Sequence, residues 1–566
     1  MDKNRIIIYQ HFPRLFGHSK RLNKPNGTIM DNGCGKFNFI SDAALSSISR
    51  LGATHIWFTG IIEHATKSNF SLFGIDRDSP EVIKGEAGSP YAIKDYYDVS
   101  PDLAEDVENR MGEFEELIKR THNNGLKVII DWVPNHLARN YVSDSSPEGV
   151  VPFGENDNQS HSFDPQNNFY YLQNTKFLSP LTEWGKEQWN EEPAKVTGNN
   201  SITNTPSIND WYETVKLNYG VNIFDGSTHF DPIPDTWHKM LEVVLYWAAK
   251  GVDGFRVDMA EMVPLEFWRW VFTQIKEKYP ELIFIAEVYQ ADKYQEYIDA
   301  GFDYLYDKVV MYDYVRAVME KKASPRIITE AWQRTENLHS SLLYFLENHD
   351  EQRIASDFFA KNPLIGIPAM TVISTMFDNP LMIYMGQELG ERGMDEEGYS
   401  GLDGRTTIFD YWWLQSIDNW SSGGVWDCQN LDVESRNLRK FYKRLLNIVK
   451  DEKAFSGKGF YDLMWDNRDN HNFDKEKLYS FLRFKGQNCF LIVANFSENE
   501  ISYRMRISPE AFKFASLDEN ALYAGRDLLE KNEDIQFPGQ VATLNGLGGK
   551  ISGYSAAIYK LSWSKM

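Results

Sequence analysis

Four carboxylates each follow an apolar run, at widely separated places in the chain. They are Asp131, Asp258, Glu287 and Asp350. Breaking a glycosidic bond needs one group that protonates the leaving oxygen and a second that attacks or stabilises the sugar carbon. If these four side chains meet in one pocket, their types are suited to the cleavage of sugars.

Asp258 and Glu287 stand in settings that favour different protonation states. Asp258 follows Arg256 with one residue between them, so in a strand both side chains point the same way. The guanidinium favours an ionised aspartate, which a nucleophile requires. Glu287 ends the apolar run LIFIA, a setting that favours the protonated carboxyl of a general acid. The pair His349–Asp350 offers donors and acceptors for sugar hydroxyls.

Buried parallel strands are the elements expected to bring these residues together. Apolar runs bounded by polar residues predict such strands, and from residue 5 to about 450 they alternate with amphipathic helical patterns. A β/α barrel has its active site at the C-terminal ends of its strands. We therefore predict an α/β protein built on a (β/α)8 TIM barrel. The predicted strands are Arg5–Gln10, His55–Ile61, Leu126–Asp131, Val252–Asp258, Leu282–Val288, Phe302–Tyr306, Ser341–Glu347 and Pro380–Gly386.

Two stretches depart from this alternation. The segment after His136 is rich in Asn, Ser, Pro and aromatic residues, and it is far longer than an ordinary βα loop. After Lys450 short alternating runs predict antiparallel strands. We therefore predict a barrel formed by residues 1–136 and 234–450, an inserted domain at 137–233 after strand 3, and a C-terminal antiparallel β-sandwich domain at 451–566.

The composition argues against several classes of protein. The formal net charge of -22 should repel nucleic acid and anionic membranes, and it suits a neutral substrate. No apolar stretch approaches the roughly 18–20 residues of a transmembrane helix. Because no signal peptide is visible, we expect a cytoplasmic protein, or an exported one whose leader has been removed. The three cysteines suggest neither a disulfide framework nor a zinc site. The oligomeric state stays open.

The same segments closely resemble the conserved regions of the α-amylase family, glycoside hydrolase family 13. DWVPNH resembles the first region, GFRVD the second, the glutamate of IAEV the third and ENHD the fourth. SPYAIKDYYDVSP also resembles the loop after strand two, and MGQELG the end of the eighth strand. The resemblance covers roughly residues 5–450 in the family's order, and the motifs together are very specific.

The resemblance implies a retaining double displacement on α-glucosidic bonds, with an α-glucan such as starch or a maltooligosaccharide as substrate. It implies that Asp258 is the nucleophile, Glu287 the acid/base and Asp350 the carboxylate that holds and distorts the sugar. Asp131 is expected to brace the third strand. The residues implied to contact the substrate are Tyr91, His136, Arg256, His349 and Arg353.

Three positions depart from the family's pattern. Many α-amylases have a Lys–His pair at Glu261 and Met262, where the lysine contacts sugar and the histidine's carbonyl helps to hold calcium. Lys216 stands where the family often has a calcium-binding aspartate, and an ammonium group can replace the charge of a cation but cannot bind one. We therefore expect no required cofactor and no ordinary starch endoamylase. Calcium stays possible, but its usual site, which often includes Asn135, is altered.

Other functions remain open at this point. A glucanotransferase or isomerising enzyme would use the same three carboxylates but pass the sugar to a hydroxyl group. A catalytically inactive carbohydrate-binding relative would typically lack carboxylates, and all three are present here. A metal-dependent hydrolase is not supported, because HxH and HExxH spacings are missing. The tryptophans at 412, 413, 420 and 426 fit sugar stacking and core packing equally well.

Overall fold

The centre of the molecule is a closed sheet of eight parallel strands. The computed structural model describes residues 5–17, 20–181, 189–393 and 401–565. Each strand pairs in parallel with its neighbours in chain order, and the parallel bridge between Tyr344 and Leu381 closes the ring. The predicted TIM barrel is therefore confirmed. Its strands are β1 (Ile7–His11), β2 (His55–Phe58), β3 (Lys127–Trp132), β4 (Gly254–Val257), β5 (Ile283–Ala286), β6 (Tyr304–Tyr306), β7 (Leu342–Leu343) and β8 (Leu381–Tyr384).

Amphipathic helices surround the barrel. The helix Arg110–Asn123, for example, buries Phe114, Leu117 and Ile118 on one face, as its sequence pattern predicts. Gly125 follows that helix with φ +73°, a conformation that glycine adopts without strain. The α-helices of this part of the chain are Ile29–Asn32, Asp42–Leu51, Arg110–Asn123, Asp235–Ala249, Leu265–Lys278, Tyr294–Ala300, Asp313–Met319, Ile327–Arg334, Gly366–Thr375, Gln415–Ser421 and Val433–Asp451.

The barrel interior has a small apolar core of its own, separate from the larger core beneath the helices. Burying each large apolar side chain contributes about 1.5–3 kcal/mol, so this layer stiffens the floor under the strand ends. The buried members of this inner layer are Ile8, Trp57, Ile129, Ile285, Tyr306, Tyr312, Leu343, Phe345 and Met382.

Short antiparallel strand pairs occupy the long connections near the C-terminal ends of β2 and β3. Ile62–His64 pairs with Ile93–Val99 after β2. In the long connection after β3, His136–Ala138 pairs with Thr214–Lys216, and Tyr171–Leu172 pairs with Ala194–Lys195. Residues 182–188 of the predicted insert and residues 394–400 lie outside the described part of the chain. The domain boundaries stay a prediction.

Antiparallel strands make up the C-terminal part, as predicted. A six-stranded sheet and a two-stranded sheet lie there, and buried residues of both, such as Tyr503 and Leu491, belong to one apolar core. In spatial order the larger sheet contains Gly459–Asp462, Leu478–Lys485, Asn488–Asn495, Ser555–Lys565, Ala521–Asp527 and Ile535–Pro538, and the smaller one contains Ile501–Met505 and Leu547–Ile551. Helices Pro509–Phe514 and Gly539–Leu544 complete this part.

No helix among the described residues is long and apolar enough to cross a membrane.

Candidate active site

A cavity of about 360 Å³ lies at the C-terminal ends of the barrel strands. Its wall brings together six residues singled out in the sequence, although they are spread over 260 positions of the chain. Parallel strands end at the same rim of a barrel, and this geometry makes the side chains that follow them neighbours. The six are Tyr91, His136, Asp258, Glu287, His349 and Asp350.

Arg256 lies beneath the cavity and connects the carboxylates. Its Nη1 donates a hydrogen bond of 2.7 Å to Oδ1 of Asp258, and its Nη2 lies 2.7 Å from Oε2 of Glu287. Asp131 is a third, longer contact at 3.5 Å. The guanidinium is only 1% exposed and is not among the cavity-lining residues. The predicted contact between Arg256 and substrate is therefore not what this structure shows: Arg256 positions the carboxylates.

Glu287 is held by groups on two sides. Its Oε2 accepts a 3.0 Å hydrogen bond from the backbone N–H of Met259, and its Oε1 accepts a 2.6 Å hydrogen bond from the hydroxyl of Tyr289. Met259 directly follows Asp258 and has φ +45°, in the left-handed region that costs a non-glycine residue energy. This turn is what directs the Met259 N–H toward Glu287.

Opposing effects act on the ionisation of Asp258. Burial raises the pKa of Asp258 well above its usual range, Arg256 opposes the shift and the charge of Glu287 adds to it. The sequence-based expectation considered only the arginine. Asp258 and Glu287 share one guanidinium, while the negative charge of Glu287 disfavours ionisation of Asp258.

Asp350 belongs to a second polar group, which includes His349, Tyr91 and Gln10. Its Oδ2 lies 3.0 Å from Nε2 of His349, which also lies 2.6 Å from the hydroxyl of Tyr91. The amide nitrogen of Gln10 contacts the other ring nitrogen of His349 at 2.8 Å. Burial raises the pKa of Asp350, but its interactions with His349 and the charge of Arg256 outweigh that effect and lower the pKa to about 2. Asp350 is therefore anionic at neutral pH.

His136 faces the nucleophile as a neutral ring. Burial, reinforced by the charges of Lys216 and Lys84, lowers the pKa of His136 to about 3. The amide nitrogen of Asn135 lies 3.0 Å from Nδ1, which therefore accepts, and Nε2 lies 4.0 Å from Oδ2 of Asp258. The ring can donate from Nε2 to a sugar hydroxyl.

Asp131 does not line the cavity. Its Oδ2 accepts 3.2 Å hydrogen bonds from the indole of Trp57 and from the backbone N–H of Gly60. Both donors belong to β2 or its C-terminal end, so the carboxylate braces β3 against β2.

Arg353 lies away from the cavity. The side chain is fully buried and is not among the cavity-lining residues, so the structure does not bring it to the predicted substrate site. Its guanidinium donates to Oε2 of Glu347 at 2.9 Å and to the hydroxyl of Thr406 at 2.8 Å, and it lies 3.8 Å from the ring centre of Tyr384. Spacing along the chain placed it near Asp350, but the turn after β7 directs it into the core.

Several cavity residues were not predicted. Trp211 and Glu213, in the long connection after β3, line one side, and Ile408 and Phe409, after β8, line another. The Trp211 ring lies 5.1 Å from that of His136. Tyr289, two residues after Glu287, also lines the cavity. The only signal in the sequence was the aromatic composition of these segments, and composition does not indicate which side chains point into the cavity.

The residues at the family's calcium position do not fit a calcium ion. Lys216 is buried, and its ammonium group donates hydrogen bonds to Oδ1 of Asn135 and, at 2.9 Å, to the carbonyl of Met262. Both oxygens are of the kind that binds calcium, but the lysine already occupies them. Burial lowers the pKa of Lys216 to about 7.

Glu261, the other departure, is also structurally engaged. Its carboxylate accepts a 2.9 Å hydrogen bond from the backbone N–H of Tyr289 and a 3.5 Å one from the side chain of Gln290. A glutamate here therefore anchors the segment that carries Tyr289.

The tryptophans after β8 are largely packing residues. Trp420 is fully buried, and Trp426 stacks on Phe16 with the ring centres 4.6 Å apart. Trp412 and Trp413 line a separate depression, and none of the four lines the catalytic cavity.

Fold and site together define a glycosidase of the amylase type: a β/α barrel with three carboxylates around one cavity at the strand ends. A sequence model described as "Alpha amylase, catalytic domain" matches residues 10–456. The chain belongs to the α-amylase family.

Known proteins resemble the chain at low identity. Alpha-amylase 3 of Dictyoglomus thermophilum is 25% identical over 395 residues, which are 65% of this chain and 68% of that protein. Alpha-1,4-glucan:maltose-1-phosphate maltosyltransferase of Picrophilus torridus is 22% identical over 299 residues, 52% of this chain and 41% of that enzyme. The crystal structure of a noncanonic maltogenic α-amylase from Thermotoga neapolitana superposes with a TM-score of 0.63 at 21% identity and covers 99% of both chains. That likeness concerns the fold.

Proposed function

We propose that this protein is a retaining hydrolase that cleaves α-glucosidic bonds, chiefly α-1,4 bonds, in maltooligosaccharides and related α-glucans. The observation that carries the proposal is the contact of Asp258 and Glu287 with one guanidinium, that of Arg256, at 2.7 Å each. This contact holds the two carboxylates side by side, which suits the roughly 5–5.5 Å separation of retaining glycosidases better than the 6.5–9.5 Å of inverting ones.

The proposed reaction has two steps. In the first, Asp258 attacks the anomeric carbon while Glu287 donates its proton to the leaving oxygen, and a glucosyl ester forms on Asp258. In the second, Glu287 takes a proton from water, and the water oxygen displaces Asp258 with net retention of configuration. Asp350, anionic beside His349, accepts hydrogen bonds from the sugar hydroxyls. The neutral ring of His136 donates one.

The walls of the cavity support a short substrate. A volume of about 360 Å³ is near the lower end of the roughly 300–1,000 Å³ of ligand pockets. The partly exposed rings of Tyr91 and Trp211 offer apolar faces on which a sugar can stack. Phe409 also lines the cavity. These features favour a maltooligosaccharide over a long polysaccharide.

We further propose that catalysis needs no calcium at the usual family position. The ammonium group of Lys216 already satisfies Asn135 and the Met262 carbonyl. No cofactor enters the two steps above.

The experiment that tests the catalytic proposal is removal of the nucleophile. Asp258→Asn keeps the shape but cannot form the ester, so we expect kcat on maltoheptaose to fall by at least about 10³-fold. Asp403→Asn, the same change at a partly exposed aspartate outside the cavity lining, serves as the matched control. Turnover that survives in Asp258→Asn would refute the assignment. Proton NMR of the first product should show the α-anomer, and a β-anomer would refute retention.

Transfer is the second candidate, because the same ester can react with a sugar hydroxyl instead of water. The similarity to a maltosyltransferase favours testing it. Maltoheptaose incubated with the enzyme should give only shorter oligosaccharides if hydrolysis dominates. Products longer than the substrate would overturn simple hydrolysis.

A further inference from the structure

A group of acidic side chains lies outside the catalytic cavity, at the junction between the barrel and the long connection after β3. Glu63, Asp98 and Asp144 each have one carboxylate oxygen within 4.8 Å of the other two. Glu63 and Asp98 come from the paired strands Ile62–His64 and Ile93–Val99 after β2. Asp144 comes from the beginning of the predicted insert.

Glu63 is the member that needs an explanation. Its side chain is 1% exposed, and within the described part of the chain its Oε2 accepts no hydrogen bond. Its other oxygen, Oε1, lies 3.8 Å from the ammonium nitrogen of Lys94, beyond hydrogen-bond distance. A buried carboxylate oxygen without a donor is costly unless it carries a proton or binds a cation.

Two basic side chains, Lys94 and Arg110, already contact members of this acidic group. Lys94 lies closer to Asp78, at 3.1 Å, and also donates to the backbone carbonyl of Asp76. Arg110 donates to Oδ2 of Asp98 at 2.8 Å.

A further aspartate adds to the negative charge. Asp95 pairs opposite Glu63 in the strand register, and its oxygens accept from Tyr97, Ser143 and Ser145. Neighbouring carboxylates repel one another strongly in a buried setting.

We propose that Glu63, Asp98 and Asp144 form a binding site for a hard divalent cation, with calcium as its ligand. Oxygen-only donors suit calcium, which accepts six to eight ligands in irregular geometry, and water would complete the shell. Asp144 is exposed, so a cation can enter from solvent. Because Asp144 belongs to the start of the predicted insert and the other two donors to the connection after β2, the bound ion would tie these two connections together. This site is distinct from the family position that Lys216 occupies.

The experiment is calcium titration of the full-length, chelator-treated protein by isothermal calorimetry, with thermal unfolding in parallel. We expect one site in the wild type and a melting temperature that rises with calcium concentration, since a ligand that binds only the folded state stabilises it. Asp144→Asn changes an exposed side chain and should fold normally, yet lose at least tenfold in affinity. Glu63→Gln should do the same. Asp225→Asn, an exposed aspartate elsewhere in the insert, should bind as the wild type does.

Three results would overturn the proposal. The first is a wild type that binds no calcium in the calorimeter. The second is calcium binding that is unchanged in both Asp144→Asn and Glu63→Gln, because the ion would then lie elsewhere. The third is a Glu63→Gln protein that melts higher than the wild type while calcium has no effect, which would show that Glu63 is simply protonated.

Discussion

Replacing Lys216 by methionine should change the stability of the protein in a way that depends on pH. The buried ammonium group of Lys216 makes two hydrogen bonds, to Asn135 and to the Met262 carbonyl. Both acceptors are uncharged, so the lysine charge is desolvated without a carboxylate in either contact. Lys216→Met keeps an unbranched side chain of similar length and removes the charge and the donors together.

Lys216→Met changes the free energy of unfolding through two contributions of opposite sign. Burial lowers the pKa of Lys216 from 10.5 to about 7, so burying its charge costs about 5 kcal/mol at pH 6, at about 1.4 kcal/mol per unit. Methionine removes that cost but leaves the buried Asn135 oxygen and the part-buried Met262 carbonyl without their donor, which costs about 1–3 kcal/mol each. At pH 6 these effects nearly cancel, and we expect Lys216→Met to unfold at about the same urea concentration as the wild type.

At higher pH the balance changes. Between about pH 7 and pH 10.5 the unfolded chain still binds a proton at Lys216 that the folded protein does not, so wild-type stability rises with pH in this window. From pH 6 to pH 9 the gain is about 3 kcal/mol. The variant lacks this gain and should be less stable than the wild type by about that amount at pH 9.

The assay is urea unfolding followed by tryptophan fluorescence at pH 6 and pH 9, with stability taken from the midpoint and slope. Lys513→Met, at an exposed lysine of the C-terminal part, is the matched control and should show no pH-dependent difference. If the free energy of unfolding differs between the wild type and Lys216→Met by the same amount at pH 6 and pH 9, the reasoning is refuted.

Two further predictions concern residues around the cavity. Tyr289→Phe removes the 2.6 Å hydrogen bond to Glu287. A hydrogen bond of this kind contributes about 0.5–1.5 kcal/mol, so we expect kcat to fall by up to roughly tenfold with KM little changed, and an unchanged kcat would contradict the role. Arg353→Met leaves the buried Glu347 without its cation, which should destabilise the protein by about 3–5 kcal/mol in urea unfolding. If instead Arg353→Met unfolds like the wild type but raises KM, the residue contacts substrate after all.

Much of the fold was predictable because its signals are local. The barrel strands are apolar runs bounded by polar residues, and helices such as Arg110–Asn123 have one apolar face, so neighbouring residues alone indicate the element. The carboxylates Asp258, Glu287 and Asp350 follow such runs directly, and parallel strands end at one rim. Their convergence on a single cavity could therefore be predicted.

The directions of individual side chains could not be predicted in the same way. Arg353 is three residues from Asp350, yet one points into the core and the other into the cavity. Trp211 meets His136 across 75 positions of sequence, through a connection whose path no periodicity indicates. Trp426 lies near the end of the barrel part of the chain. It stacks on Phe16 and does not line the catalytic cavity.

The sequence by itself therefore determined the barrel, the family and the set of carboxylates that can react, because these depend on local patterns and on residue types. The tertiary structure decided that Arg256 joins two carboxylates and that Lys216 occupies the calcium position. It also decided that Glu63 meets Asp98 and Asp144. Those outcomes depend on contacts between segments far apart in the chain, and only packing in three dimensions sets which buried charge faces which partner.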